Sequence, residues 1–153
     1  MSEFVLVDTN ILLRSCQIDH PMHLEAVSAQ RILQQGGYRL CVLPQNIWEF
    51  RTVATKPTSS NGVGMNQIQA DGEIVRILSL YSVFEDTPKV FEEWRRLVSL
   101  YGAQGKQNHD TRIAAAMIVH GIKTILTFNT SDFLRYSELH AFSPPDVIAN
   151  QKP

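Results

Sequence analysis

The sequence lacks the features that would place it in several large protein classes. It has only two cysteines, Cys16 and Cys41, with no Cys-x-x-Cys pair and no Cys/His cluster at zinc spacing. Neither a disulfide framework nor a structural zinc site is expected, and a reducing compartment is the simpler reading. Long hydrophobic runs are missing too: the longest, Ile113 to Val119, is seven residues, far too short to cross a bilayer. The opening residues, MSEFVLVD, carry no basic stretch and only four apolar residues in a row, which does not fit a signal peptide. A soluble, cytoplasmic protein without a membrane partner is therefore expected. Charge of one sign is not in excess either. Lys plus Arg is 14 and Asp plus Glu is 15, a formal net charge of −1. That balance excludes a generic polyanion-coating protein but leaves room for an enzyme that meets nucleic acid at one local patch.

What is present is material for a core. With 153 residues, 44% of them hydrophobic and 19% charged, the chain fits one domain spanning residues 1–153. No repeat, low-complexity tract or linker divides it. Phe4 to Val7 reads as a buried strand stopped by Asp8-Thr9-Asn10, and residues 21–35 as a helix ended by Gly36-Gly37. Residues 39–43 form the next strand, and Pro44 sits near the start of a helix reaching Val53. Lys56 to Asn66 (KPTSSNGVGMN) breaks the pattern and is expected to be an exposed, mobile loop. A helix over 68–80, a strand over 81–84 and a helix opened by Pro88 follow, then a loop over 102–107. Asp110 opens a small-residue helix closed by Gly121, residues 123–128 form a strand, and Ser131-Asp132-Phe133 begins a helical turn. The tail after Ser143-Pro144-Pro145 reads as a terminal strand or an irregular end. Strands alternating with helices predict an α/β fold with a mainly parallel sheet and helices on both faces.

In such a sheet, ligands bind outside the carboxyl ends of the strands. Four acids fall near that edge: Asp8 after the first strand, Glu49 in the helix after the second, Asp110 at the start of the small-residue helix, and Asp132 after the next strand. Singly, each aspartate reads equally as a helix cap or a turn, and Glu49 as an exposed helix position. Together they need a cation, because clustered carboxylates raise one another's pKa. Oxygen-only sites select hard ions, Mg²⁺ or Mn²⁺. A pair of such ions can activate water, neutralise phosphate and stabilise a leaving oxygen, which is the chemistry of phosphodiester hydrolysis.

Four blocks, Val7-Asp8-Thr9-Asn10-Ile11-Leu12, Glu49, Asp110-Thr111-Arg112-Ile113-Ala114-Ala115-Ala116, and Thr127-Phe128-Asn129-Thr130-Ser131-Asp132-Phe133, occur in order over nearly the whole chain. In this the sequence resembles the PIN-domain nucleases, and specifically their VapC-like branch, to which the Asn61-Gly62-Val63-Gly64 loop is also similar. The resemblance implies a three-layer α/β/α sandwich and metal-dependent endoribonuclease activity, with Asp8, Glu49, Asp110 and Asp132 holding one or two Mg²⁺ or Mn²⁺ ions. Activated water would attack phosphorus in line, leaving a 5′-phosphate and a 3′-hydroxyl. It further implies the toxin of a type II toxin–antitoxin pair, an antitoxin partner and a homodimer. The apolar faces of the helices after Gln30 or Pro88 are candidate dimer surfaces.

Thr9 and Asn129 match polar positions beside the acids and are assigned supporting roles. Arg112, Arg14, Arg51 and Lys56 lie near the blocks and are candidate contacts to RNA phosphates. His109 reads as a loop or capping residue, His20 and His23 as surface residues, and Trp94 as core or interface. A haloacid-dehalogenase-type phosphatase also places an aspartate after its first strand, but needs a second acid where this chain has Asn10. The remaining alternative is a catalytically silent PIN-like module that binds RNA or protein. Assigning four acids to metal leaves 14 basic against 11 acidic residues elsewhere.

Overall fold

Five short strands line up in the order β3-β2-β1-β4-β5, every neighbouring pair parallel. They are β1 (Phe4–Val7), β2 (Arg39–Val42), β3 (Ser82–Val83), β4 (Thr124–Leu126) and β5 (His140–Phe142) in a computed structural model that describes residues 3–151. Seven helices accompany them: α1 (Thr9–Cys16), α2 (His23–Gln35), α3 (Pro44–Thr55), α4 (Gln67–Leu80), α5 (Pro88–Tyr101), α6 (Gln107–His120) and α7 (Pro144–Ala149). Among the described residues no helix is long and apolar enough to cross a membrane.

The period-two geometry of a strand sorts the core into two halves. On β1, Leu6 faces one side with Cys41 of β2 and Ile125 of β4, and there it meets α5 and α6 through Val90, Leu97, Ile113 and Met117. Val5 and Val7 face the other side with Leu40, Val42 and Leu126, packed against α1, α2, α3, α4 and α7. A sheet buried on both faces needs continuous apolar strands, and FVLV, RLCV and TIL supply them. The result is a three-layer α/β/α sandwich.

Connections run outward from β1 to β2 and β3, and then return to β4 on β1's other side. The strand order therefore reverses at the β1/β4 seam, the place where an open parallel sheet splays its connections and leaves a crevice. Asp8 and Thr127 are the residues immediately beyond those two strand ends.

Helix α1 and strand β5 lie where the sequence reading has no element, and three further features differ from it. Helix α6 begins at Gln107 rather than Asp110, because Gln107 Oε1 accepts from the Gln104 backbone N–H at 3.1 Å and starts the turn earlier. Asp110 is thus inside the first turn and caps nothing. The tail is neither a strand nor irregular: α7 follows β5, started by a capping box in which Ser143 and Asp146 exchange side-chain-to-backbone bonds, with Pro144 at the first helical position. The Lys56–Asn66 segment is tied down on the end of α3 rather than free. Val63 N–H donates to Val53 C=O, Gly64 N–H to Lys56 C=O and Met65 N–H to Ala54 C=O. Gly62 makes this return possible, since a Cβ there would lie 2.1 Å from the Lys56 carbonyl oxygen.

Candidate active site

Asp8 ends β1 and caps α1, and its carboxylate is fixed from several directions. Its Oδ1 accepts from Thr9 N–H at 2.8 Å and its Oδ2 from Thr127 Oγ1 at 2.8 Å. Thr127 is wholly buried just past β4, and its hydroxyl also accepts from Asn10 Nδ2 at 3.1 Å and from Asn129 N–H at 3.0 Å. Asn10 closes the ring, accepting from Phe128 N–H through Oδ1 at 3.2 Å. The seam between β1 and β4 is thus stitched by groups one to three residues beyond each strand, next to the backbone bond from Asp8 N–H to Leu126 C=O at 3.0 Å.

Glu49 is brought in from α3. Its Oε2 accepts from Thr9 Oγ1 at 3.1 Å and its Oε1 from Gln45 Nε2 at 2.7 Å. Asn46, buried beside them, accepts from Leu43 N–H at 2.9 Å. Gln45 lies one helical turn before Glu49, so both side chains point the same way. The other two acids are held more loosely. Asp110 sits in the first turn of α6, and Asp132 in the 3₁₀ turn Thr130–Phe133. Among the described residues, no side-chain or backbone donor reaches either carboxylate.

The charges nevertheless feel one another. Burial pushes Asp8 up to about 6, assisted by the carboxylates of Glu49 and Asp110 and opposed by the bonds from Thr127 and Thr9. Asp110 is also pushed up to about 6, first by burial, then by the nearby Asp132 and Glu49 charges, with Lys106 and His109 acting against them. The four acids proposed from the sequence therefore form one electrostatic group. They do not form a closed cage: among the described residues, no three acidic, histidine or cysteine side chains converge on one point as a metal shell. The donor set fits a hard divalent cation. It is all oxygen, with no thiolate or imidazole among the four acids, and positive charge there would offset both the burial and the repulsion.

Three of the four cationic candidates are already engaged. Arg112, on α6, donates to Gln45 Oε1 at 3.0 Å and pairs with Asp86 Oδ2 at 3.1 Å, with its guanidinium 5.3 Å from the centre of the Trp48 ring. Arg51 pairs with Asp71 of α4, and Arg14 donates to Gln17. Lys56 is exposed at the C-terminal end of α3. Asn129 is exposed and reaches the cluster only through its backbone N–H. Trp94 is half-buried against the α5/α6 core and donates from Nε1 to Asn108 C=O at 2.9 Å.

Sequence reasoning overlooked Asn10, Gln45, Asn46 and Thr127. For Gln45 a signal existed, its i, i+4 spacing to Glu49. Thr127 gave none, because its partner lies 119 residues away.

Comparison with known proteins agrees with this fold. The PIN domain family model matches residues 5–139. Among solved structures, VapBC2 from Rickettsia felis bound to a DNA fragment from its promoter is similar at TM-score 0.69 and 16% identity, covering 92% of this chain and 98% of that one. VapBC-1 from nontypeable Haemophilus influenzae gives 0.64 at 16% identity, covering 93% and 98%. VapC20 of Mycobacterium tuberculosis, a toxin that cleaves the sarcin-ricin loop, gives 0.62 at 14% identity, covering 86% and 95%. No curated protein sequence matches the chain.

Proposed function

Since the chain belongs to the PIN-domain family, we propose that it is a Mg²⁺- or Mn²⁺-dependent endoribonuclease, acting as the toxin of a toxin–antitoxin pair. One observation carries the catalytic reading: the buried Asp8, at the strand-order reversal, is coupled in charge to Glu49 and Asp110, and Asp110 in turn to Asp132. Asp8, Glu49, Asp110 and Asp132 would hold one or two ions. When bound, the metal supplies water activation at neutral pH and neutralisation of charge on the scissile phosphate.

The chain's own residues do the rest. Thr127 and Thr9 N–H hold both oxygens of Asp8 in one orientation, and Thr9 Oγ1 with Gln45 does the same for Glu49. Asp110 and Asp132, with no donor on their carboxylates among the described residues, can turn toward substrate-bound charge. Neither cysteine is poised as a nucleophile: burial pushes the thiol of Cys16 up to about 11 and that of Cys41 up to about 12.

RNA as substrate, a cognate antitoxin, a homodimer and a cytoplasmic location belong to the same proposal. Structural similarity to toxin–antitoxin complexes supports the antitoxin. On α5, Phe91 is exposed and stacks on Trp94, which offers a second copy an apolar contact. The test is cleavage of generic RNA with Mn²⁺, against EDTA and against Asp8→Asn. Cleavage lost in both controls is the expected result. Equal behaviour of wild type and Asp8→Asn would leave the silent RNA- or protein-binding module as the better reading. For the toxin role, induced expression should arrest growth and a small neighbouring reading frame should relieve the arrest.

A further inference from the structure

We propose that Gln45 is a positioning residue of this site, one amide that sets Glu49 and the Asp110-bearing end of α6 relative to each other. The proposal rests on the nuclease reading above and names a residue that reading does not require. Gln45 is 1% exposed, so it cannot touch substrate. Its Nε2 donates to Glu49 Oε1 at 2.7 Å and to His109 C=O at 3.0 Å, and its Oε1 accepts from Arg112 Nη1 at 3.0 Å. Both amide protons and the carbonyl oxygen are therefore used within the protein.

The three bonds make the amide directional. An arginine can only donate, while an ionised carboxylate and a backbone carbonyl can only accept. A flipped Gln45 would set N–H against guanidinium on one side and oxygen against two oxygens on the other. Arg112 thus locks the N–H side toward Glu49. It is itself held by Asp86, in the connection after β3, and by the face of Trp48. Because His109 immediately precedes Asp110, the same nitrogen that orients Glu49 also ties down the backbone next to the second acid. Two carboxylates on different helices, 61 residues apart in sequence, thereby share one reference point. Groups that orient ligands in this way tune metal affinity without touching the metal.

The experiment compares wild type with Gln45→Met, which keeps the bulk and removes the polar atoms. Mn²⁺ binding is measured by calorimetry on RNA-free protein, alongside the melting temperature and kcat and KM on a short RNA. Gln45→Met should raise the Mn²⁺ Kd about tenfold and lower kcat by a similar factor, with KM within about twofold. In a Glu49→Gln background the same substitution should change Kd less than about twofold, since its main target is gone. A lowered melting temperature with unchanged Kd and kcat would overturn the proposal and leave Gln45 a packing residue. If Gln45→Met does not fold, Arg112→Met replaces it; releasing the amide should raise Kd about threefold, and an unchanged Kd overturns the proposal. A wild type that binds no Mn²⁺ and cuts no RNA overturns the nuclease reading, and this proposal with it. Wild-type binding left intact by both variants overturns the role of Gln45 alone.

Discussion

The two sides of the acidic cleft are built differently. On the strand side, Asp8 and Glu49 accept hydrogen bonds from Thr9, Thr127 and Gln45, all of them buried. On the helix-and-turn side, Asp110 and Asp132 receive none among the described residues, and both residues are half-buried. The first pair is oriented by the fold before anything binds. The second is left to be oriented by what binds. A site of this kind has a rigid wall against which ions would be placed and a compliant wall that would close on them.

Replacing one acid from each wall should separate them. Asp8→Asn is expected to lower cleavage at least about 10³-fold, equivalent to about 4 kcal/mol of transition-state stabilisation. Asp132→Asn should cost less, about 10²-fold, and recover in part as Mn²⁺ is raised, because the ion supplies its ordering. Initial rates across a Mn²⁺ titration decide this, and equal losses without recovery would erase the distinction between the walls.

Thr127→Val keeps the shape and removes the hydroxyl at the centre of the rigid wall. It takes the hydroxyl partner from Asp8 Oδ2 and Asn10 Nδ2, leaving them their mutual contact at 3.5 Å, and from the Asn129 N–H. A loss of about 2 kcal/mol in stability is expected, with cleavage down about tenfold. Denaturant unfolding and initial rates check the two figures.

The pH dependence of metal-free protein sharpens the same contrast. Asp8 is pushed from 3.8 up to about 6. Between those values the folded chain holds a proton that the unfolded chain has released, so stability falls as pH rises through the window. For the buried Asp8 the full effect approaches ~3 kcal/mol; for the more open Asp110 it is smaller, since solvent screens it. In EDTA, the melting temperature should drop between pH 4.5 and 7.5, and Mn²⁺ should flatten the drop (pH values are about those of ordinary buffers). Asp8→Asn should remove most of the slope, and melt higher than wild type at the upper pH. A wild-type slope unchanged in Asp8→Asn would show that the acid lies in a more polar setting than its burial indicates.

The smallest effect is expected outside the cleft. Arg51 and Asp71 form an exposed pair between α3 and α4. Arg51→Ala should change stability by no more than about 0.5 kcal/mol. A large loss of RNA binding, read by a filter assay at low salt, would instead make Arg51 a phosphate contact.

Much of this was legible in the order of residues. The apolar runs of β1, β2 and β4 announce a buried parallel sheet, and the acids that follow them fall where such a sheet leaves a crevice. The proline- and glycine-marked ends of α3, α5 and α6 were equally visible. The α7 helix was missed because Pro144-Pro145 reads as a breaker unless the Ser143–Asp146 capping box is noticed. The start of α6 was missed because its cap position, Lys106, makes no side-chain capping bond, whereas Asp110 is a favoured cap residue.

By itself, then, the sequence determined the inner strands, the helices α2 to α6 and the positions of the four acids near strand ends, because these depend on hydrophobic period and on nearest neighbours along the chain. Only the tertiary structure decided how those acids are held. Thr127 bonds Asp8 across 119 residues, and Arg112 reaches Gln45 across 67. Such pairs exist only once β4 has inserted beside β1 and α6 has packed against α3's end of the sheet. Hydrogen-bond direction and distance are properties of that packing, and a list of residues carries neither.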